Sequence, residues 1–571
     1  MNKNILLKFV VGLFSLFLLY SFSGSDSTKL VLSYRYPLDL AISLSGSYGE
    51  LRATHFHSGI DLRVGGVTGA PIHAAADGYI SRISISPVGY GNALYINHPD
   101  GKTTLYGHML DFKPSIAVWV RERQYEKESF QVNLIPDDTL FRVKKGDLLG
   151  RAGNSGSSGG PHLHFEMRDT ESEIPLNPLS ETGIKVIDNV SPVFQKVSFY
   201  SISNFKTVAQ RELIRSFTGA FSPVFEVSDT FYVAVAGIDK QNNTYSKLAV
   251  YRYNYYLDNE LIFSFTPEKI PFDKELYINS VVEYREKKKS NLSLIKSWIE
   301  PGCGITSNIT AVNNGLFVLL DNAVHEVKIE LIDEHKNKSV RVYKVRRALP
   351  SKEMAQANSE MVSAQNGIIM PWFLPNRYEN ENMRILLPPG ALYSSILFKC
   401  DTVYHDGSLY VIVSDPGIPV HNSARMAIKA NVPEHLREKV LIVKRAEGGK
   451  LSSFGGSYSN GWVETSIGSF GTYGISYDTI VPVVTPNFKM EENIAGRRSL
   501  RFTVYDNLSG ISSYRVLIDG KWVLTSYDAK NRRLETELKG DIIKKGIKHQ
   551  ITIFVTDNKE NTNLIKSSFV W

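Results

Sequence analysis

The sequence has 571 residues, too many for one hydrophobic core, and about 100–200 residues per domain predicts three to five domains. The formal net charge of +7 is a mild excess for this length, and no Arg-rich arm or other nucleic-acid-binding motif accompanies it, which argues against a nucleic-acid partner. Plentiful aromatic and β-branched residues, with few long helical stretches, favour a mainly β protein.

The N-terminal segment has the pattern of a signal peptide. Lys3 and Lys8 precede an apolar run from Phe9 to about Tyr20, and small residues follow at 21–23. The run is shorter than the roughly 20 residues that span a bilayer, so cleavage is favoured over an uncleaved anchor. We therefore expect a signal peptide over residues 1–23, secretion across the inner membrane and a location in the periplasm or cell envelope.

Residues 28–185 form the first predicted unit. Residues 78–85 alternate with a period of two, as a half-buried strand does, and 92–98 and 103–108 are two more strands around a Pro-Asp-Gly turn. Many short strands with Gly-rich turns predict a compact antiparallel β domain.

A charged segment, residues 111–141, interrupts this pattern and is predicted as an insertion that is helical in part. It is equally compatible with a lid or substrate-groove wall and with a solvated surface excursion.

Three further β-rich units are predicted over residues 186–349, 368–478 and 479–571, with a Ser-, Ala-, Gln- and Glu-rich linker over 350–367. In the second and fourth units an alternating strand ends in an Asp-rich turn, at Asp333 and at Asp557. This parallel suggests diverged immunoglobulin-like β-sandwiches, and convergent strand patterning is the alternative.

Two cysteines, Cys303 and Cys400, lie in different predicted units. They are compatible with buried small side chains or with a disulfide, and neither belongs to a CxxC pair.

The histidines are concentrated in the first unit, where seven of the 13 lie between His55 and His164. His57 and Asp61 are four residues apart with a glycine between them, which permits a tight turn. His162 and His164 are two apart on a predicted strand and therefore face one side. His108 ends another strand. This combination predicts a metal or catalytic site.

Six stretches of the first unit resemble the lysostaphin/LytM-type zinc endopeptidases, which cleave peptidoglycan peptides. The matching segments are HFHSGID at 55–61, AAADG at 74–78, GYGN at 89–92, LYGH at 105–108, VKKGD at 143–147 and GPHLHFE at 160–166. The resemblance covers about residues 50–180 and implies that 28–185 is a zinc metallopeptidase domain. The segment after Leu110 departs from the compact family pattern.

The resemblance implies that His57, Asp61 and His164 bind Zn²⁺, and that His108 and His162 are the two catalytic histidines that do not bind it. Two imidazoles and one carboxylate leave a fourth tetrahedral position for water, as in catalytic zinc sites. One of the two catalytic histidines would serve as the base and the other would stabilise the oxyanion, and the sequence does not distinguish them.

The implied function is hydrolysis of peptide crosslinks or stems in bacterial peptidoglycan. The alternatives are a non-catalytic wall-binding regulator of other wall hydrolases, which the complete residue set argues against, and a zinc peptidase acting on proteins. The C-terminal β domains are expected to act as spacers, wall-binding platforms or docking surfaces for cell-envelope proteins.

Overall fold

A computed structural model of the chain describes residues 32–205, 208–242, 244–348, 367–540 and 542–571. Strands dominate the described residues, which confirms the predicted mainly β fold class. The predicted signal peptide, residues 1–23, and the linker up to residue 366 lie outside the described residues. No helix in the described ranges is long and apolar enough to cross a bilayer.

The first unit is built from twelve strands and two helices. Its strands are β1 (Leu44–Gly46), β2 (Gly59–Arg63), β3 (Pro71–His73), β4 (Gly78–Ile85), β5 (Asn92–Asn97), β6 (Lys102–Gly107), β7 (Met109–Phe112), β8 (Val132–Leu134), β9 (Arg142–Val143), β10 (Leu148–Ala152), β11 (His162–Asp169) and β12 (Pro175–Leu176), and its helices are α1 (Pro114–Glu126) and α2 (Pro178–Thr182).

An antiparallel sheet with the order β1-β2-β11-β6-β5-β4-β8 forms the body of this unit, with β12 on β11 and β9 on β4. A second, three-stranded sheet has the order β3-β10-β7. One face of the central strands is apolar and packs into the core, where Ile60, Leu94 and Phe165 are fully or almost fully buried. Asp61 and His164 alternate with these residues and therefore lie on the opposite face.

The segment predicted as an insertion, 111–141, contributes regular structure to the unit. It contains α1, which packs Ile116 and Val120 into the core, and β8, which pairs with β4 in the main sheet. Pro114 at the first turn of α1 suits a helix start, because its missing N–H has no partner there in any helix.

The second unit has eleven strands in two sheets. They are β13 (Val193–Phe205), β14 (Val208–Phe217), β15 (Phe225–Val227), β16 (Thr230–Ile238), β17 (Arg252–Leu257), β18 (Glu260–Phe265), β19 (Ile295–Lys296), β20 (Ile309–Ala311), β21 (Phe317–Val318), β22 (Val324–Ile332) and β23 (Lys338–Arg347). Phe199 and Val233 of one sheet share a core with Ile329 and Tyr343 of the other, so the two sheets form a sandwich.

Between β18 and β19 the second unit carries a helical excursion. It consists of a 3₁₀ helix (Phe272–Tyr277) and two short α-helices, α3 (Ile278–Val281) and α4 (Tyr284–Ser290). Two further 3₁₀ turns, Thr306–Asn308 and Asn313–Gly315, lie on either side of β20.

The third unit contains twelve strands and one 3₁₀ helix. They are β24 (Ile368–Met370), β25 (Asn376–Glu379), β26 (Met383–Leu387), β27 (Ile396–Phe398), β28 (Cys400–His405), β29 (Ser408–Val413), β30 (Pro419–Lys429), the 3₁₀ helix Glu434–Leu436, β31 (Val440–Arg445), β32 (Leu451–Ser453), β33 (Ser457–Ser459), β34 (Trp462–Ser469) and β35 (Gly471–Tyr477). Two five-stranded sheets share one core that includes Met426 and Ile442.

The fourth unit contains nine strands in two sheets. They are β36 (Val483–Pro486), β37 (Glu492–Asn493), β38 (Ser499–Tyr505), β39 (Ile511–Ile518), β40 (Lys521–Trp522), β41 (Thr525–Asp528), β42 (Arg533–Glu537), β43 (Lys548–Asp557) and β44 (Thr562–Val570). Phe502 of one sheet and Ile553 of the other are fully buried in a shared core.

The first and second units are packed together by exchanged side chains. Phe56 of the first unit is buried in the core of the second, and Leu248 of the second is buried in the core of the first. This contact holds the second unit beside the histidine-rich face of the first.

The two cysteines, Cys303 and Cys400, are both free thiols.

Candidate metal centre

The register of three neighbouring strands brings the predicted site residues together. In the ladder between β2 and β11, His164 lies opposite Asp61. On the other side of β11, His164 lies opposite Gly107, and His108 follows directly. A Cβ at position 107 would lie 3.3 Å from Cβ of His164, so glycine gives the imidazole room at this point.

Three side-chain atoms converge on one point. Nε2 of His57, Oδ1 of Asp61 and Nδ1 of His164 are each 3.1 Å from the other two. Ligands held about 2.0–2.1 Å from a tetrahedral ion lie about 3.3 Å from one another, so the spacing fits Zn²⁺. All three residues are buried, which limits competition from solvent.

The far side of each imidazole is tied to the protein. Nδ1–H of His57 donates to the carbonyl oxygen of Ser47 over 2.8 Å, and Nε2–H of His164 donates to Oε2 of Glu166 over 3.2 Å. These bonds select the tautomers whose free lone pairs point at the shared centre.

Charge in the metal-free centre is balanced by protons. Burial opposes a charged imidazole, but hydrogen bonds to Asp61 and Glu166 raise the pKa of His164 to about 9. Burial likewise opposes ionisation of Asp61, but the surrounding imidazoles hold its pKa well below its usual value. A metal ion at this centre would therefore displace a proton from His164.

Glu166 anchors a buried polar network behind the centre, and the sequence analysis did not assign it a role. It accepts hydrogen bonds from Ser58 Oγ, Tyr90 Oη and Arg168 Nε at 3.1, 2.9 and 2.7 Å. Burial opposes its ionisation, but the bond from His164 and the charge of Arg168 lower the pKa of Glu166 to about 2. Its position two residues after His164 on the same strand face was the available signal.

Arg52 also belongs to this site. Its Nη2 donates to Oδ2 of Asp61 over 2.9 Å and lies 3.4 Å from Glu50. The contact orients the Asp61 carboxylate so that its other oxygen faces the imidazoles.

His108 and His162 lie beside the three converging residues. Their ring centroids are 4.7 Å apart, and Nε2 of His162 is 3.3 Å from Oδ1 of Asp61. The backbone of His108 adopts φ 58°, a left-handed conformation that is uncommon for a non-glycine residue and recurs at functional sites.

A Gly- and Ser-rich loop, residues 153–160, orients both of these histidines. Nδ1–H of His108 donates to the carbonyl oxygen of Ser155 over 2.9 Å, and Nδ1–H of His162 donates to that of Gly160 over 2.8 Å. Nε2 of His108 therefore keeps its lone pair, whereas Nε2 of His162 faces Oδ1 of Asp61. Burial, with the neighbouring His164 and His162 rings, lowers the pKa of His108 to about 3, so this imidazole is neutral at physiological pH.

The centre opens into a cleft of about 740 Å³ with walls from two units. The first unit contributes Arg52, Tyr90 and Arg168, and the second unit contributes Phe272 and Glu275 from its 3₁₀ helix. A cleft of this size accommodates an extended peptide segment.

The remaining histidines of the first unit lie outside the converging set. His55 is exposed at the cleft wall, next to Thr54. Nε2 of His98 bonds Thr104 and Nδ1 of His73 bonds the carbonyl of Gly146, as expected for structural histidines.

The fourth unit packs against the first unit next to this site. The ring of Trp522 lies edge-on to Tyr125 of α1 at 5.1 Å, and Arg515 forms an ion pair with Glu128. The segment around α1 is therefore partly covered by another unit rather than being a free surface excursion.

Two family models match the chain. The model for peptidase family M23 matches residues 55–125, and the model for a Zu5-like domain matches residues 368–478.

Curated relatives align with the first unit. DD-carboxypeptidase/endopeptidase Mpg of Neisseria meningitidis serogroup B is 34% identical over 130 residues, covering 23% of this chain and 24% of the relative. Peptidoglycan DD-endopeptidase ShyC of Vibrio cholerae is 33% identical over 118 residues, covering 21% of each. The chain thus spans about a quarter of the length of these relatives.

Solved structures align with the same region. The catalytic domain of the prophage-encoded M23 protein EnpA from Enterococcus faecalis is 25% identical, with a TM-score of 0.19, and covers 26% of this chain and 94% of its own. The catalytic domain of lysostaphin from Staphylococcus simulans is 22% identical, with a TM-score of 0.18. The match covers 26% of this chain and 93% of the lysostaphin domain.

Proposed function

We propose that the chain is a zinc-dependent endopeptidase that hydrolyses peptide crosslinks or stems of bacterial peptidoglycan, because the model for peptidase family M23 matches residues 55–125 and curated relatives align with the same unit. The observation that carries the proposal is the convergence of His57, Asp61 and His164, with two further histidines beside them. The names of the relatives, which include a peptidoglycan DD-endopeptidase, support the substrate class.

In this proposal His57, Asp61 and His164 hold Zn²⁺. Zinc bound by such a set lowers the pKa of a water ligand from about 15.7 to about 7 and so supplies hydroxide at neutral pH. Glu166 and Ser47 keep the two imidazoles in the required tautomers through their outward hydrogen bonds.

His108 and His162 are proposed as the catalytic histidines. Each has Nδ1–H fixed to a loop carbonyl, so the proton that each exchanges with substrate is carried at Nε2, where it can be accepted and then returned to a leaving amine. In its protonated state the same Nε2 donates a hydrogen bond, which stabilises a developing oxyanion.

We also propose that the protein acts in the periplasm or cell envelope after secretion, in accord with the signal-peptide pattern of residues 1–23. Cell-envelope proteins are proposed as partners of the C-terminal β units. Detection of the mature N-terminus in a periplasmic extract tests the location, and a full-size chain confined to the cytoplasm contradicts it.

The purified chain, loaded with Zn²⁺, should release muropeptides from peptidoglycan sacculi, as measured by mass spectrometry. His164→Ala should abolish zinc binding and turnover, whereas His108→Ala should keep zinc and lose turnover. His435→Ala, at an exposed position of the third unit, serves as the control. A zinc-loaded chain that cleaves no peptidoglycan but cleaves folded proteins would redirect the proposal to protein substrates.

Retention of wall remodelling in a strain carrying His57→Ala, with a defect only on full deletion, would instead favour the non-catalytic regulator. The complete residue set argues against that outcome.

A further inference from the structure

Three buried aspartates meet where the first unit joins the second. Asp188 lies in the segment that connects the units, Asp239 follows β16, and Asp333 follows β22. Asp239 and Asp333 are 6% and 1% exposed, and the Asp188 side chain is 3% exposed. Burying several carboxylates together is costly unless a positive charge compensates them.

No lysine or arginine forms a salt bridge with these aspartates in the described part of the chain. Asp333 accepts hydrogen bonds from the backbone and side-chain nitrogens of Asn337 at 2.8 and 2.7 Å, and Asp188 accepts one from the N–H of Val190 at 3.0 Å. The imidazole of His335 also faces the cluster, with its Nδ1 3.9 Å from Oδ2 of Asp188.

One oxygen of this cluster has no partner at all. Oδ1 of Asp239 is buried and makes no hydrogen bond within the described structure. Burial, together with the nearby carboxylates of Asp333 and Asp188, raises the pKa of Asp239 to about 8. A deeply buried carboxylate oxygen without a donor is an uncommon feature that calls for a missing ligand.

A small cavity of about 30 Å³ lies beside two of these aspartates. Asp188, Asp239 and His335 line it, together with Tyr48 of the first unit. Ligand atoms of Asp188, Asp333 and His335 all lie within 4.8 Å of one another. A cavity of this size holds a single water or ion, since one needs about 10–15 Å³.

The same arrangement recurs at the junction of the third and fourth units. Asp478, Asp506 and Asp557 offer ligand atoms within 4.8 Å of one another, and Oδ1 of Asp506 is again buried without a partner. Asn561 donates its backbone and side-chain N–H groups to Asp557 at 2.9 and 2.7 Å, as Asn337 does to Asp333. Recurrence in two sandwiches argues against an accident of packing.

We propose that Asp188, Asp239 and Asp333 bind a Ca²⁺ ion that joins the first unit to the second. Carboxylate oxygens are the ligands that Ca²⁺ prefers, and its coordination tolerates irregular geometry better than that of Mg²⁺. The ion neutralises the buried carboxylates and gives the free oxygen of Asp239 a partner.

The consequence is mechanical coupling between the junction and the cleft. Gln241, two residues after Asp239, accepts a hydrogen bond from the N–H of Leu44 in β1. The second unit, so held, supplies Phe272 and Glu275 to the cleft wall. Calcium at the junction therefore stabilises the relative position of two units that together form the cleft.

The test uses the full chain, stripped of divalent ions, given back one equivalent of Zn²⁺, and dialysed against Ca²⁺ or Mg²⁺ at about 1 mM. Bound calcium is measured by atomic emission, and unfolding by calorimetry. Asp239→Asn removes a charge with little change of shape, and Asp188→Asn is a second variant. Asp401→Asn removes an exposed carboxylate in the third unit and serves as the control.

Wild-type chain and Asp401→Asn should bind one more Ca²⁺ per chain than Asp239→Asn, whose affinity at this site should fall about tenfold or more. Any ion bound in the fourth unit is present in all variants, so it does not affect the difference in calcium content between them. Calcium should raise the melting temperature of the wild-type chain more than that of Asp239→Asn, and Mg²⁺ should do so less.

Two results would overturn the proposal. The wild-type chain would retain no Ca²⁺, with Asp239→Asn equally stable, if Asp239 is simply protonated. Equal calcium binding by wild type and by both Asp188→Asn and Asp239→Asn would place the ion elsewhere. Should Asp239→Asn fail to fold, Asp188→Asn and the calcium content of the wild-type chain decide the question.

Discussion

Nζ of Lys530, in the fourth unit, lies 2.8 Å from the carbonyl oxygen of Ser158 in the loop beside the candidate metal centre. The same ammonium contacts the carbonyl oxygen of Asn154 and lies 3.1 Å from its side-chain oxygen. The same loop presents the carbonyl of Ser155, between these two points, and that of Gly160, two residues after Ser158; these carbonyls fix the rings of the two proposed catalytic histidines. Hydrogen bonds from the fourth unit thus stabilise the loop that positions His108 and His162.

Lys530→Ala should therefore lower kcat on peptidoglycan peptides by about tenfold, because small displacements of proton-carrying groups are costly. KM and zinc content should change little, since Lys530 itself neither lines the cleft nor contacts the metal ligands. Lys521→Ala, at an exposed position of the same unit, is the matched control. Steady-state kinetics and zinc analysis check the prediction, and equal kcat values for the two variants would remove the role assigned to Lys530.

Sequence alone located the strands that carry the site, because hydrophobic alternation and turn residues are local signals. The strand predicted at 78–85 is observed as β4 with the same bounds, and that predicted from 162 is observed as β11. The mainly β class and the resemblance to lysostaphin/LytM-type peptidases are confirmed. The roles of the individual histidines and the domain boundaries stay predictions.

The contacts that sequence reasoning missed are between residues far apart in the chain. Arg52 reaches Asp61 through the fold of the loop before β2, and Lys530 reaches Asn154 across 376 residues. No periodicity or spacing encodes such pairs, because they depend on how whole units pack. Glu166 was within reach of sequence reasoning, since it alternates with His162 and His164 on one strand.

Glu166→Gln should weaken zinc binding about 10–100-fold, the usual cost of removing a partner that orients a ligand histidine. It should also lower the free energy of unfolding by about 3 kcal/mol, because it leaves the guanidinium of Arg168, only 5% exposed, without its buried counter-charge. Zinc competition assays and urea unfolding measure the two effects.

The matched control is Glu173→Gln, because Glu173 also faces Arg168, at 3.5 Å, but its side chain is 65% exposed. This control should change neither quantity appreciably. If both variants behave alike, the buried network does not support the metal centre.

His108 should make the metal-free protein sensitive to acid. Its pKa is lowered by burial and by the rings of His164 and His162 to about 3, below the value near 6.5 of the unfolded chain. Between about pH 6.5 and pH 3 this imidazole is protonated in the unfolded chain but stays neutral in the folded protein. The free energy of unfolding therefore falls as pH decreases from about 6.5 towards 3.

His108→Gln should therefore lose less stability than the wild-type chain over this range, by about 4 kcal/mol at pH 3. Urea unfolding of the metal-free proteins between pH 7 and pH 3 supplies the comparison, with His405→Gln as the control. Parallel stability curves for wild type and His108→Gln would show that the buried imidazole is protonated without cost.

Glu275 should tune substrate affinity rather than turnover. It reaches the cleft from the second unit, and burial, together with the charge of Glu166, raises its pKa to about 7. Its carboxylate therefore ionises between about pH 6 and pH 8 and attracts a peptide amine more strongly as pH rises. KM for a muropeptide with a free amine should fall over that range, whereas kcat should not depend on the ionisation of Glu275.

Glu275→Gln should raise KM at pH 8 about threefold or more and remove the pH dependence of KM, since an uncharged amide makes a weaker bond to an ammonium. Asp273→Asn, on the same 3₁₀ helix but exposed, is the control and should leave KM as in the wild type. A KM profile that Glu275→Gln leaves intact would mean that the second unit lines the cleft without contacting the substrate.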